Sequence, residues 1–399
     1  MWHPTGPSPV MDRAPLRQPP ALLSAPSRKP PAVSKLVAVD LFCGAGGLSY
    51  AFHRAGFHIA AAVERNADAA ASYQKSFVDT YSPETKLLNH DVSSPQVTKA
   101  LALRAKGATI DVVIGGPPCQ DFSPATERTK REGHRANLVL EYFRILRLLD
   151  PQAFLFENVP GMLTAMRGKY WKFVVNEAQK LGYYICHDIL RAERFGVPQR
   201  RNRLFVVGTK QSLGPLAFPI GTETPRTVME TIGHLCPLKA GEVGESDPMH
   251  RARSHRPKTV EYLATIPEGG AWRDAARVLK CHKDHNGHYD VYGRIKGDSI
   301  APTITGGCTN PSKGRFIHPK QHRGLTVREA ALLQTFPPDW IFCGGIESQS
   351  LQVGNAVPVK LGEALALTLK ALLDPGPCCL SKPHELNPHT REMMPGLLQ

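Results

Sequence analysis

A cysteine follows two glycines and two prolines in GGPPCQDFS, residues 115–123, directly after the apolar run Val112, Val113, Ile114. Pro117 and Pro118 stiffen that turn, so the Cys119 thiol is presented rather than packed. An unperturbed thiol is only about 3% thiolate at neutral pH, and a nucleophile here needs a helix N-terminus or nearby cations. The competing fate is the small buried hydrophobe that most cysteines become.

Three further groups have types and positions suited to chemistry. Glu157 in FENVPG directly follows an apolar run, where burial would raise its pKa and keep a proton available. Arg201 and Arg203 in QRRNR alternate, so a strand there puts both on one face; solvated edge charge is the plainer reading of each. The turn DLFCGAGG lets backbone approach a ligand at a helix N-terminus, but Ser49 stands where a third glycine would serve a dinucleotide. Glu64, twenty residues past Gly44, and Asp91 each end an apolar run, as acids holding a nucleoside cofactor do. Either could instead cap the helix that follows.

Two features stand beside these. Cys281, His282, His285 and His288 crowd eight positions, yet their spacing matches no closed zinc module, and no metal is expected. Asp121, two residues past the cysteine, would raise the thiol pKa if turned inward and is expected to face solvent or Arg128.

The elements that must position these groups alternate. Strands are predicted over 36–42, 58–63, 86–90, 111–114 and 153–156, with helices over 47–55, 67–76, 95–105, 136–149 and 170–181. Such alternation implies an α/β fold with a mainly parallel sheet covered on both faces. Strands over 183–190 and 203–208, with little between them, suggest an antiparallel edge. The rhythm breaks over 209–322, a smaller irregular or β-containing domain, and resumes with helices over 326–335 and 357–372. Residues 1–34, rich in Pro and basic residues, and 374–399 read as disordered tails, and Met11 is a second candidate start.

The 399 residues carry a net charge of +14, which suits a polyanionic partner. Nine dispersed cysteines without a C-x-x-C pair suggest reduced thiols, and no apolar run is long enough to span a bilayer. A cytoplasmic protein without a membrane partner is the expectation.

Taken in order, DLFCGAGG, GGPPCQDFS, ENV, QRRNR, REAALLQTFP and QVGNAVPV resemble the DNA cytosine-5 methyltransferases, from about 35 to 372. The resemblance implies a Rossmann-like catalytic domain over 35–208 and 323–373, with 209–322 as target-recognition domain. It implies S-adenosylmethionine as cofactor, lined by Phe42, Gly44, Gly46, Gly47 and Leu48, with Glu64 at the ribose, Asp91 at the adenine, and Leu138 and Asn355 completing the pocket. It further implies that Cys119 attacks C6 of a cytosine flipped out of double-stranded DNA, that Glu157 serves N3, and that Arg203, helped by Arg201, holds O2. Within the recognition domain, 299–307 resembles a core segment of the bacterial members and is expected to be a strand.

The resemblance also suggests a bacterial, nucleoid-associated monomer with a companion restriction endonuclease. Two rivals remain. A transfer-RNA methyltransferase shares this architecture, but its Cys-Phe-Thr segment is absent here. A non-catalytic relative would lack the nucleophile or the glycine turn, and this chain keeps both.

Overall fold

The computed structural model describes residues 35–118, 132–277, 289–375 and 391–393. Cys119, Asp121, Arg128, the 281–288 cluster, the tail 1–34 and most of the other tail lie outside them.

From Lys35 onward the chain is one compact unit built on a single sheet. Its strands are β1 Val37–Leu41, β2 His58–Val63, β3 Lys86–Leu88, β4 Val112–Gly115, β5 Ala153–Asn158, β6 Tyr183–Arg191, β7 Asn202–Lys210 and β8 Arg391–Met393. They run side by side in the order β3-β2-β1-β4-β5-β7-β6-β8. The first five pair in parallel, and β7 pairs antiparallel with both β5 and β6. The sheet thus closes in antiparallel pairings, as the sequence suggested, with β8 pairing antiparallel with β6 at the edge, while β7 itself lies inside the sheet. Its run Leu204, Phe205, Val206, Val207 is buried throughout, as an interior strand requires. Where 374–399 was expected to be disordered, Arg391–Met393 pairs with β6.

Alternation along each strand divides the core between the two faces. Val39, Leu41, Val113, Phe154 and Phe156 pack with α4 (Pro95–Gly107), α5 (Glu132–Leu149) and α6 (Lys169–Lys180). Ala38, Ile114, Leu155 and Phe205 face a second core shared with α1 (Gly47–Arg54) and α11 (Val359–Leu373). That core also takes Phe218, Val228, Ile295, Ile304 and Phe316 from the 209–322 segment. The predicted helix 67–76 is α2 (Ala67–Tyr73), which runs through a π-turn, Gln74–Val78, into α3 (Asp79–Tyr81).

Beyond β7, the segment contains two short helices, α7 (Val228–Ile232) and α8 (Pro257–Ala264), and isolated bridges among its described residues. The strand expected over 299–307 is absent: a single bridge joins Ala301 to Gln199. Pro302 has no N–H to extend a ladder, and beside the few backbone bonds at Ser299 and Ala301 the segment is held by side chains. Gln199 Oε1 accepts from Ile304 N at 2.8 Å, and Thr303 donates to Arg200 O at 2.7 Å. After it come α9 (Val327–Leu333) and α10 (Ile346–Asn355), which lead into α11.

Candidate active site

The strand order reverses between β1 and β4, and in open α/β sheets ligands bind outside the carboxyl ends of the strands at such a switch point. A cleft of about 330 Å³ lies there. The turn from β1 into α1 forms one wall. Phe42, Gly44 and Gly46 all have positive φ (60°, 55° and 98°), a backbone that favours glycine and strains Phe42. A Cβ on Gly46 would stand 3.1 Å from Tyr73 and 3.2 Å from Trp340, whereas one on Gly44 would meet nothing within 4 Å. Gly44 thus leaves space for a ligand. Gly46 gives close packing behind the turn, against Tyr73 and Trp340.

Glu64 locks the turn in place. Its Oε2 accepts from Gly44 N at 3.0 Å and its Oε1 from Asn66 N at 2.7 Å. Asp91 accepts at Oδ1 from Ser93 N and Ser93 Oγ, and at Oδ2 from Arg65 Nη1. The Ser93 hydroxyl, with Arg65 adding to it, holds this carboxyl below its usual range. Neither acid caps a helix; Asn66 caps α2 and Ser94 caps α4. Both line the cleft with Phe42, Gly44, Gly47, Leu48, Leu138 and Asn355. Two anchored carboxylates with spare acceptor capacity, apolar walls and open space at Gly44 fit an adenosyl group.

The opposite wall follows from strand polarity. Parallel strands end at this edge of the sheet, and antiparallel β7 begins there. Glu157 pairs with Phe205, so Arg203 is its diagonal neighbour on the same face. Arg203 Nε lies 3.0 Å from Glu157 Oε1, and both side chains are largely buried. Burial pushes the Glu157 carboxyl up, and Arg203 and then Arg201 pull against it. Gly116 brings the end of β4 against this pair, since a Cβ there would stand 2.8 Å from Glu157 Oε2. Pro117 and Pro118 follow in the cleft wall, leading to Cys119.

Arg201 does not join the pair. It is 1% exposed, and its guanidinium donates to Ile304 O at 2.8 Å, Gly354 O at 2.9 Å and Ala356 O at 3.0 Å. These bonds form a clasp that ties β7 to 299–307 and to the end of α10. Gln199 reinforces it, donating to Leu333 O and Gln334 Oε1.

Two contributions escaped the sequence reading. Asn158 donates to Pro117 O at 3.2 Å and so fastens the turn before Cys119 to β5; its place directly after Glu157 was the available signal. Asp40, 1% exposed and in the cleft wall, accepts from Ser49 Oγ at 2.6 Å, and Ser49 accepts from Tyr73 OH at 2.8 Å. Burial raises the Asp40 pKa from 3.8 to about 7. Nothing in its sequence context marks that chain, because Tyr73 arrives from another helix.

A reversed parallel sheet, a glycine turn at the end of β1 and acids ending β2 and β3 define a Rossmann-like fold with a cleft for a nucleoside cofactor. Residues 36–371 match the C-5 cytosine-specific DNA methylase family, and the chain belongs to it. The chain is 34% identical to the type II methylase M.HgiDII of Herpetosiphon aurantiacus, covering 84% of this chain and 95% of that one. It is 36% identical to the type II methyltransferase M1.HphI of Haemophilus parahaemolyticus, over 83% and 86% of the two chains. In fold it is similar to a protein assigned as a DNA modification methyltransferase encoded within an E. coli prophage, with a TM-score of 0.68, 24% identity, and coverage of 85% and 100%. The chain is accordingly a DNA cytosine-5 methyltransferase whose cofactor is S-adenosylmethionine. Among the described residues, no helix is long and apolar enough to cross a membrane.

Proposed function

We propose that Cys119 is the nucleophile, that Glu157 and Arg203 hold the target cytosine, and that 209–322 reads the surrounding duplex. The observation carrying this is the 3.0 Å Glu157–Arg203 pair in the wall of the cleft that Pro117 and Pro118 also line. C5 of cytosine is a poor nucleophile, so the ring must first be made electron-rich. The Cys119 thiolate adds to C6 and electrons move toward C5, while Glu157 holds a proton at N3 and Arg203 donates to O2. S-adenosylmethionine supplies the electrophilic methyl group. Loss of the C5 proton to a base then restores the ring and expels the thiolate.

C6 is inaccessible inside a stacked duplex, so the base must leave the stack at a cost of a few kcal/mol. The net charge of +14 supports the phosphate contacts that offset this. The names of the relatives support a role in bacterial restriction and modification, with a companion endonuclease. A monomer in the cytoplasm, at the nucleoid, completes this reading.

The test is trapping. Duplex DNA carrying 5-fluorocytosine at the target cannot lose a proton at C5, so an adduct should accumulate at Cys119 when S-adenosylmethionine is present. Cys119→Ser should give none. An adduct at another residue, or full methylation by Cys119→Ser, would refute the assignment.

A further inference from the structure

Arg273 stands between two aromatic rings. Its guanidinium carbon is 4.9 Å from the ring centroid of Trp272 and 4.2 Å from that of Tyr289. Trp272 is buried, and Tyr289 is 57% exposed. Arg273 is itself exposed, and among the described residues no carboxylate or carbonyl takes any of its N–H groups. Arg294, whose backbone N–H reaches Gly270 O, uses its own side-chain donors on Leu263 O and Ile266 O.

The two rings come from segments that are tied together. Trp272 begins a 3-10 turn closed by Asp274, whose Oδ2 accepts from Ala271 N at 2.8 Å. The backbone just before it, at Gly269 O and Gly270 O, accepts from Arg315 Nη1 at 2.7 and 2.8 Å. Arg315 also pairs with Asp290 at 3.2 Å, next to Tyr289. One arginine thus fixes the spacing of the two rings that confine the other.

A long, flexible cation loses rotamer freedom when confined between rings, while stacking on their faces leaves all five donors free for a partner. A phosphate also accepts such a fork bidentately, but its oxygens can be approached from many directions, whereas a base edge presents its two acceptors in one plane and rewards a fork whose direction is fixed. A fixed fork matches a planar pair of acceptors, and on duplex DNA that pair is O6 and N7 of guanine in the major groove. We propose that Arg273 reads a guanine of the recognition sequence, an inference resting on the assignment of 209–322 to target recognition.

The experiment maps methylation by conversion sequencing in DNA from cells expressing the full chain, Arg273→Ala, Arg273→Lys or Tyr289→Leu, with melting temperatures as a fold check. The wild type should mark one short motif containing guanine. Both Arg273 variants should lose roughly tenfold or more at that motif and accept other bases at one guanine position, with Tyr289→Leu showing a weaker form of the same relaxation. An unchanged motif in Arg273→Ala would remove Arg273 from recognition while leaving the activity intact. A uniform loss across sequences with a shallower salt dependence would make it a phosphate contact and overturn the inference. A wild type that methylates no duplex DNA would overturn both this inference and the activity on which it rests.

Discussion

Arg203 and Glu157 meet because one strand runs against its neighbours. Five parallel strands end at the cleft, and β7 starts there, so its Arg203 reaches the Glu157 carboxylate at 3.0 Å. Burial raises the Glu157 pKa and Arg203 opposes the rise. With Glu157 serving N3 in its protonated form, as proposed, methyl transfer should fall as pH climbs through that pKa. Arg203→Met removes the opposing cation: the alkaline limb of the kcat profile should move to higher pH while the maximum drops, because O2 loses its donor. Glu157→Gln should abolish that limb and lower kcat by roughly 10²–10⁴. An alkaline limb that stays in place in both variants would show that Glu157 does not titrate in the reaction.

The sequence anticipated most of the strands and the helices between them, because short apolar runs and amphipathic stretches carry their own periodicity. It said less where polar groups do the packing. The buried face of α10 includes Gln349, Ser350 and Gln352. Gln349 donates to Phe342 O, Gln352 donates to Cys343 O, and Ser350 Oγ lies 3.2 Å from Cys308 Sγ, so no apolar stripe announced a helix. The position of β7 inside the sheet depends on α6 carrying β6 one place beyond it, which no local pattern encodes. The alternation of Arg201 and Arg203 was visible, but not that the first is consumed by carbonyls from 304, 354 and 356, more than a hundred residues away.

Asp40 gives the fold a pH dependence that is separate from catalysis. Its pKa rises from 3.8 to about 7 because burial disfavours the carboxylate. Between those values the folded chain holds a proton that the unfolded chain has released, so stability falls as pH rises across the interval and levels off above about 7. The rise corresponds to about 4 kcal/mol. Asp91, Asp247 and Glu329, whose pKa values are lowered, add slopes of opposite sign at lower pH. The difference in unfolding free energy between wild type and Asp40→Asn cancels them. Measured by urea titration, that difference should shift against the wild type from pH 4 to 7 and then stay constant. A pH-independent difference would place the Asp40 pKa near its ordinary value.

Arg201 is where a structural and a catalytic role give opposite results. Its guanidinium holds Ile304 O on one side and Gly354 O and Ala356 O on the other, flanking Asn355 in the cleft wall. Arg201→Ala leaves those carbonyls without their charged donor and opens a buried cavity, at a cost of roughly 3–5 kcal/mol. Because the carbonyls beside Asn355 are released, KM for S-adenosylmethionine should rise more than kcat falls. Arg201→Lys, which can reach one or two of the three carbonyls, should recover part of both losses. A group acting on the substrate oxygen would instead lower kcat while the unfolding midpoint and the KM for the methyl donor stayed put, and that outcome would return Arg201 to the reacting atoms.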